Sequence, residues 1–185
     1  HLLSRRQRQM CIRDSAGHWA AAAECYQKAA EQGSSAGLSL LGECLYQGRG
    51  VPKSAAQARK LWKAAAESGE TIALLNLGDD CAARGDNGKA LLWYRRARQN
   101  AAAVPDIEYT PRVCLRLAQY ETRYTSRKKA LALAAEAKQA FTILQREHEP
   151  DADCWLQEAE QLLYELTHEP PTAPAAYNIE SLQLD

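Results

Sequence analysis

Four times along this chain an alanine is followed by another alanine seven positions later, and that rhythm restricts the fold more than any other feature. "AAECYQKAAEQG" from Ala22 lines up with "ARKLWKAAAESG" from Ala58, "ALLWYRRARQNA" from Ala90 and "ALALAAEAKQAF" from Ala130. The leading alanines are 36, 32 and 40 positions apart, and Ala29, Ala65, Ala97 and Ala137 follow them. Two helical turns separate the members of each pair, so both lie on one face, where only a small side chain lets a second helix come close. A period of this length in a helical pattern marks stacked helix hairpins, each burying its apolar face against its neighbours.

A second helical pattern precedes three of the anchors: "AGLSLLGECLYQG" (36–48), "TIALLNLGDDCAARG" (71–85) and "TPRVCLRLAQYETRY" (110–124). Each holds a leucine followed by a small residue, Leu41-Gly42, Leu77-Gly78 and Leu117-Ala118, which predicts the close crossing of the two helices in a hairpin. From that small residue to the anchor there are 12 positions in the third and fourth units and 16 in the second. Composition agrees: hydrophobic residues make up 46%, but much of that is alanine and only one phenylalanine occurs, so the core has to come from tight helix packing.

The longer second unit contains "GRGVPKSAAQARKLW", whose glycines, lysine and serine are the parts of a phosphate-binding loop. Such a loop follows a buried strand and needs every backbone donor, whereas here a helical pattern precedes it and Pro52 removes a donor beside Lys53. The stretch is read instead as a corner. Gly48 ends one helix in a left-handed conformation, Gly50 takes a second unusual backbone angle, and Val51 tucks back as a plug. Ser54 and Gln57 form a capping box for the next helix. Asp86 and Ser126 stand at the equivalent N-cap positions.

The twelve-position spacing, with alanine again seven later, resembles the tetratricopeptide repeat. "LGECLYQGRGVPKSAAQARKLWKAAAESG" (41–69) closely resembles the SEL-one-like repeat, a relative with an enlarged turn; Leu45 stands where an aromatic is usual and Ser54 where Asp is usual. The resemblance covers residues 16 to about 146 and is strongest over 36–101. The fourth unit is degenerate, with Ala118 for glycine and Glu121 in a usually apolar place. It implies an all-α fold, a short right-handed alpha-solenoid of helix-turn-helix repeats.

Three segments are expected. Residues 1–15 include "SRRQRQMCIRDS", which resembles translated sequencing-adapter sequence, and are set apart. Residues 16–168 form the repeat array, closed by a capping helix in which Trp155, Ala159, Leu162 and Leu166 make one buried stripe while Glu158, Glu160, Gln161 and Glu165 face out. Residues 169–185, with three prolines, read as a disordered tail.

Chemistry-bearing residues form no reactive set. Lys plus Arg and Asp plus Glu number 23 each, and with +3 on the first fifteen residues the remainder carries −3, no field for nucleic acid or an anionic membrane. No apolar run reaches the roughly 18 residues of a membrane span. The six cysteines, at 11, 25, 44, 81, 114 and 154, lack zinc-ligand spacing and read as buried free thiols, which favours a reducing cytoplasmic compartment over the periplasm or secretion. His18, His148 and His168 have no nucleophile or carboxylate at useful spacing. The basic groups Arg95, Arg96, Arg98 and Arg127, Lys128, Lys129 read as solvated faces. No catalytic residue, cofactor or metal site is expected.

In the families resembled, the leading helix of each hairpin lines a concave groove that holds a peptide or protein segment. The resemblance thus implies a non-catalytic scaffold with a protein or peptide partner, and places Glu43, Tyr46, Asn76, Asp79, Arg112, Arg116 and Gln119 in the groove. By charge this groove is acidic toward its start and basic toward its end. The alternatives are a cell-wall or beta-lactam hydrolase, whose repeats pair cysteines that are unmatched here, and a scaffold fragment of a larger signalling or secreted protein.

Overall fold

The computed structural model describes residues 18–103, 109–124, 126–149 and 151–168, and these form eight α-helices and no strand. In chain order they are α1 (Trp19–Glu31), α2 (Ser35–Gln47), α3 (Ala55–Glu67), α4 (Thr71–Ala83), α5 (Asn87–Ala103), α6 (Tyr109–Tyr124), α7 (Arg127–Arg146) and α8 (Ala152–His168). The chain divides into two compact units, one through Leu77 and one from Gly78 onward. Residues 1–15, Pro150 and the tail from 169, about which the sequence raised expectations, lie outside the described residues.

In the first unit α1 packs on α2 and α2 on α3. Ser34 begins α2 by accepting the Gly37 N–H on its hydroxyl at 3.1 Å. At the α1–α2 crossing, a Cβ on Gly37 would stand 2.8 Å from that of Ala29, which accounts for the small residue seven positions after Ala22. At the α2–α3 crossing Trp62 is buried and donates its indole N–H to the Ser39 carbonyl at 3.1 Å. Gly42 lies directly under that ring: a Cβ there would be 2.5 Å from the indole nitrogen.

The corner between α2 and α3 is built as expected at its glycines and otherwise at its capping serine. Gly48 ends α2 at φ +76° with its N–H on the Cys44 carbonyl, and Gly50 has φ +71°. The Ser54 hydroxyl accepts the Gln57 N–H at 3.4 Å, but the Ser54 N–H donates to the Leu45 carbonyl at 2.8 Å. The capping box is therefore half made, because the corner itself occupies the donor that Gln57 would have taken. Val51, expected as the plug, is only half-buried. The packing is done by its neighbours: a Cβ on Gly50 would overlap the Trp19 carbonyl, and the Arg49 guanidinium lies 4.6 Å over the Trp19 ring.

In the second unit α5 packs on α6, α6 on α7, and α8 on both α7 and α6. Gly78 repeats the Gly42 arrangement beneath the buried ring of Tyr94. Asp86 and Ser126 cap α5 and α7 by accepting the N–H of Lys89 at 3.2 Å and of Lys129 at 3.4 Å. The alanines Ala58, Ala65, Ala90, Ala97, Ala130 and Ala137 are all 0% exposed, which fixes the seven-residue rhythm as the packing face. In the fourth repeat the crossing is different: Ala118 and Ala134 are both fully buried within one cluster with Leu115, Phe141, Leu144, Ala159 and Leu166. The stripe expected on α8 is present in Ala159, Leu162 and Leu166, with Trp155 half-buried against Phe141, ring centroids 5.7 Å apart. Glu158 departs from expectation, since it does not point to solvent but reaches α6.

Candidate functional site

All seven residues expected to line the groove are half-buried, neither core nor free surface. In the first unit Glu43 and Tyr46 share a face of α2, three positions apart. Glu43 accepts from the Gln47 side chain at 3.2 Å, and Tyr46 tilts against Trp62 with ring centroids 5.2 Å apart. Asn76 on α4 carries a buried Nδ2 donor with no hydrogen-bond partner among the described residues. A buried amide left in that state costs on the order of 1–3 kcal/mol, so an acceptor brought by a ligand or a water is favoured there.

In the second unit Asp79 from α4 meets Arg116, which shares one face of α6 with Arg112 and Gln119 at spacings of four and three. Arg116 is the centre. Its Nε lies 3.6 Å from an Asp79 carboxylate oxygen, and an Nη donates to Glu158 on α8 at 2.7 Å. Gln119 accepts from Arg116 at 3.3 Å and donates to the same Glu158 oxygen at 2.8 Å. The Tyr94 hydroxyl donates to Asp79 at 2.7 Å. Burial works against the charge of Arg116, but Asp79 and Glu158 more than offset it and hold the group above its ordinary range. Burial, and then the adjoining Asp79 carboxylate, raise Tyr94, so it remains a hydroxyl donor.

Arg112 is held differently. Its guanidinium lies 5.0 Å over the Trp155 ring and 5.6 Å over the Tyr109 ring, a cation against two π faces. The charge expected of the groove therefore needs refinement: Arg116 is counterbalanced by two carboxylates, and among the described residues of this face Arg112 is the arginine that no carboxylate pairs. Sequence periodicity put Arg112, Arg116 and Gln119 on one face of α6 but gave no sign of their neighbours Tyr94, Tyr109, Trp155 and Glu158. A register of α8 against α6 would have found the last two.

The remaining candidates resolve into structural roles. Cys44, Cys81 and Cys114 are buried free thiols as expected, whereas Cys25 and Cys154 are exposed, because α1 and α8 turn those positions outward; Cys11 lies outside the described residues. Burial raises Cys44 to about 11 and Cys114 to about 12. Arg95 pairs with the buried Glu121 at 2.8 Å and Arg98 with Glu136 at 2.9 Å across helices, whereas Arg96 is exposed, its guanidinium 5.7 Å over the Trp93 ring, as a solvated face has it. Arg127 donates to the Leu166 carbonyl at 2.8 Å. His18, His148 and His168 are exposed, the last stacked on Tyr164. Among the described residues no three His, Cys, Asp or Glu side chains gather as metal ligands, and no helix is long and apolar enough to cross a membrane.

A family model described as Sel1 repeat matches residues 20–34, 35–70 and 72–100. Among solved structures, c5321, a protective antigen of uropathogenic Escherichia coli with an SLR fold, is 22% identical at a TM-score of 0.55. That match covers 84% of this chain and 37% of the antigen. A Sel1 repeat protein from Oxalobacter formigenes is also 22% identical, at a TM-score of 0.51 over 77% of this chain and 64% of its own length. The chain thus spans less than two thirds of either. No curated protein matches it. Sel1 repeats commonly mediate protein–protein interaction, and the family is typically non-catalytic. Residues 20–100 thus carry three Sel1 repeats, and the chain has the all-α helical-repeat solenoid fold of these structures.

Proposed function

We propose that this chain is a non-catalytic scaffold that binds a protein or peptide segment along the leading-helix faces carrying Glu43, Tyr46, Asn76, Asp79, Arg112, Arg116 and Gln119. The observation that carries the reading is the shared half-buried state of these residues, combined with the unpartnered Nδ2 of Asn76. Half-buried polar and aromatic side chains on packed helices are held in place before a partner arrives, which lowers the ordering cost of association. A basic partner residue is served by Glu43 or Glu158, an acidic one by Arg112, and a backbone carbonyl by Asn76.

The test is site-specific photocrosslinking. A photoreactive residue at Tyr46 or Gln119 is expected to capture a partner isolated on the native chain, and one at the exposed Ala132 of α7 is not. Equal capture from Ala132, or none from the two face positions, rejects the assignment. Reversal of the cluster by Asp79→Lys, Arg116→Glu and Glu158→Lys together keeps each ion pair with its sign exchanged and is expected to weaken the partner about tenfold or more.

A further inference from the structure

We infer that Arg112 is the receptor for an acidic side chain in the bound segment, and that this segment carries a basic residue two positions away. The inference rests on the peptide-binding reading and assigns it a chemistry. Arg112 is half-buried, its guanidinium is positioned over Trp155 at 5.0 Å and Tyr109 at 5.6 Å, and among the described residues no carboxylate pairs with it. Two other arginines at α6 do have such partners: Arg116 has Asp79 and Glu158, and Arg95 has Glu121. Aromatic faces fix the plane of a guanidinium without using its N–H donors, so the planar fork of Arg112 is pre-organised and still available for the two oxygens of a carboxylate.

The neighbouring charge sets the rest of the motif. One turn along α6, Asp79, Arg116 and Glu158 together carry a net charge of −1, beside the +1 of Arg112, which pairs with no carboxylate among the described residues. A helical turn rises about 5.4 Å, and an extended strand presents side chains on one face about every 6.6 Å. An extended segment with the pattern acid, any residue, base therefore sets its carboxylate on Arg112 and its cation on Glu158 or Asp79.

The experiment is selection of random internal peptides, displayed without a free C-terminus, on the full chain, followed by affinity measurements with amidated synthetic copies. The selected peptides are expected to share an Asp or Glu with a Lys or Arg two positions away. Arg112→Gln is expected to weaken the best of them about tenfold, and Arg112→Lys by less, since it keeps charge without the fork. Changing the peptide acid to its amide should cost the same tenfold with native protein and nothing further with Arg112→Gln. Both variants are expected to unfold cooperatively, Arg112→Lys with the native chain and Arg112→Gln slightly earlier through loss of the cation over the two rings. Selected peptides without an acid, or losses from Arg112→Gln that do not depend on the peptide acid, overturn the proposal and leave the binding reading in place. If no peptide is enriched, the binding reading itself fails and this proposal with it.

Discussion

The α2–α3 hairpin of the first unit and the α6–α7 hairpin of the second close the same joint by opposite means. In the first, Gly42 yields all its space to Trp62; in the second, Ala118 and Ala134 are both small and both fully buried. The α4–α5 joint, with Gly78 under Tyr94, follows the first scheme. Glycine in a helix costs about 1 kcal/mol relative to alanine, so it persists only where a large ring fills the vacated volume and more than offsets that cost. Where the ring is replaced by Ala134, alanine returns. The degenerate look of the fourth repeat is therefore a matched pair of changes, with both alanines buried in one cluster with Phe141 and side chains of α8.

The comparison can be broken at several points. Trp62→Ala is expected to destabilise the chain by about 3–5 kcal/mol, as read from chemical unfolding, because it removes a buried ring and leaves its glycine partner facing a cavity. Gly42→Ala and Gly78→Ala come next, each losing about 1–3 kcal/mol through overpacking. A gain in stability, as alanine brings in an unconstrained helix, would show that the crossings are looser than drawn. Ala118→Gly should move the other hairpin in the destabilising direction by about 1 kcal/mol, with no ring to use the space.

The two units also differ in their thiols, and this sharpens the contrast with smaller effects. Cys44 in the first unit is raised from 9.0 to about 11, and Cys114 in the second to about 12. A thiol whose folded value lies above its unfolded one stabilises the fold fully below pH 9. That contribution is lost as pH rises from 9 through 11 for Cys44 and through 12 for Cys114, since the unfolded chain gives up its proton first. Unfolding midpoints measured up a pH series should begin to fall above 9, and Cys44→Ala should flatten part of that slope. Alkylation at pH 8 followed by mass analysis is expected to mark Cys25 and Cys154 in the native chain and to reach Cys44, Cys81 and Cys114 only after unfolding.

Local signals were legible from residue spacing. The alanine rhythm, the Leu-Gly crossings, the caps at Ser54, Asp86 and Ser126 and the left-handed Gly48 all depend on neighbours within a few turns of the same hairpin. What escaped was set by approach between elements distant in sequence. Glu158 looked like an exposed face of a terminal helix because nothing local encodes that α8 lies beside Arg116, 42 positions earlier. Val51 looked like the plug because it is the apolar residue of the corner, yet the contact with α1 goes through Gly50 and Arg49. For the groove, helix periodicity grouped Arg112, Arg116 and Gln119 on one face but could not say which arginine was already neutralised.

Gly50 carries a lesson about what surface exposure means. It is exposed, in a corner loop, and by accessibility alone it belongs with the positions that accept any residue. Yet its backbone is left-handed, and any side chain would enter the carbonyl of Trp19. In a saturation library this solvent-facing position should behave like an interior one, while Lys53, three residues on and equally exposed, should accept almost anything. Tolerance to mutation in such a repeat follows the distance from Cα to the next backbone, and water contact is a poor guide to it.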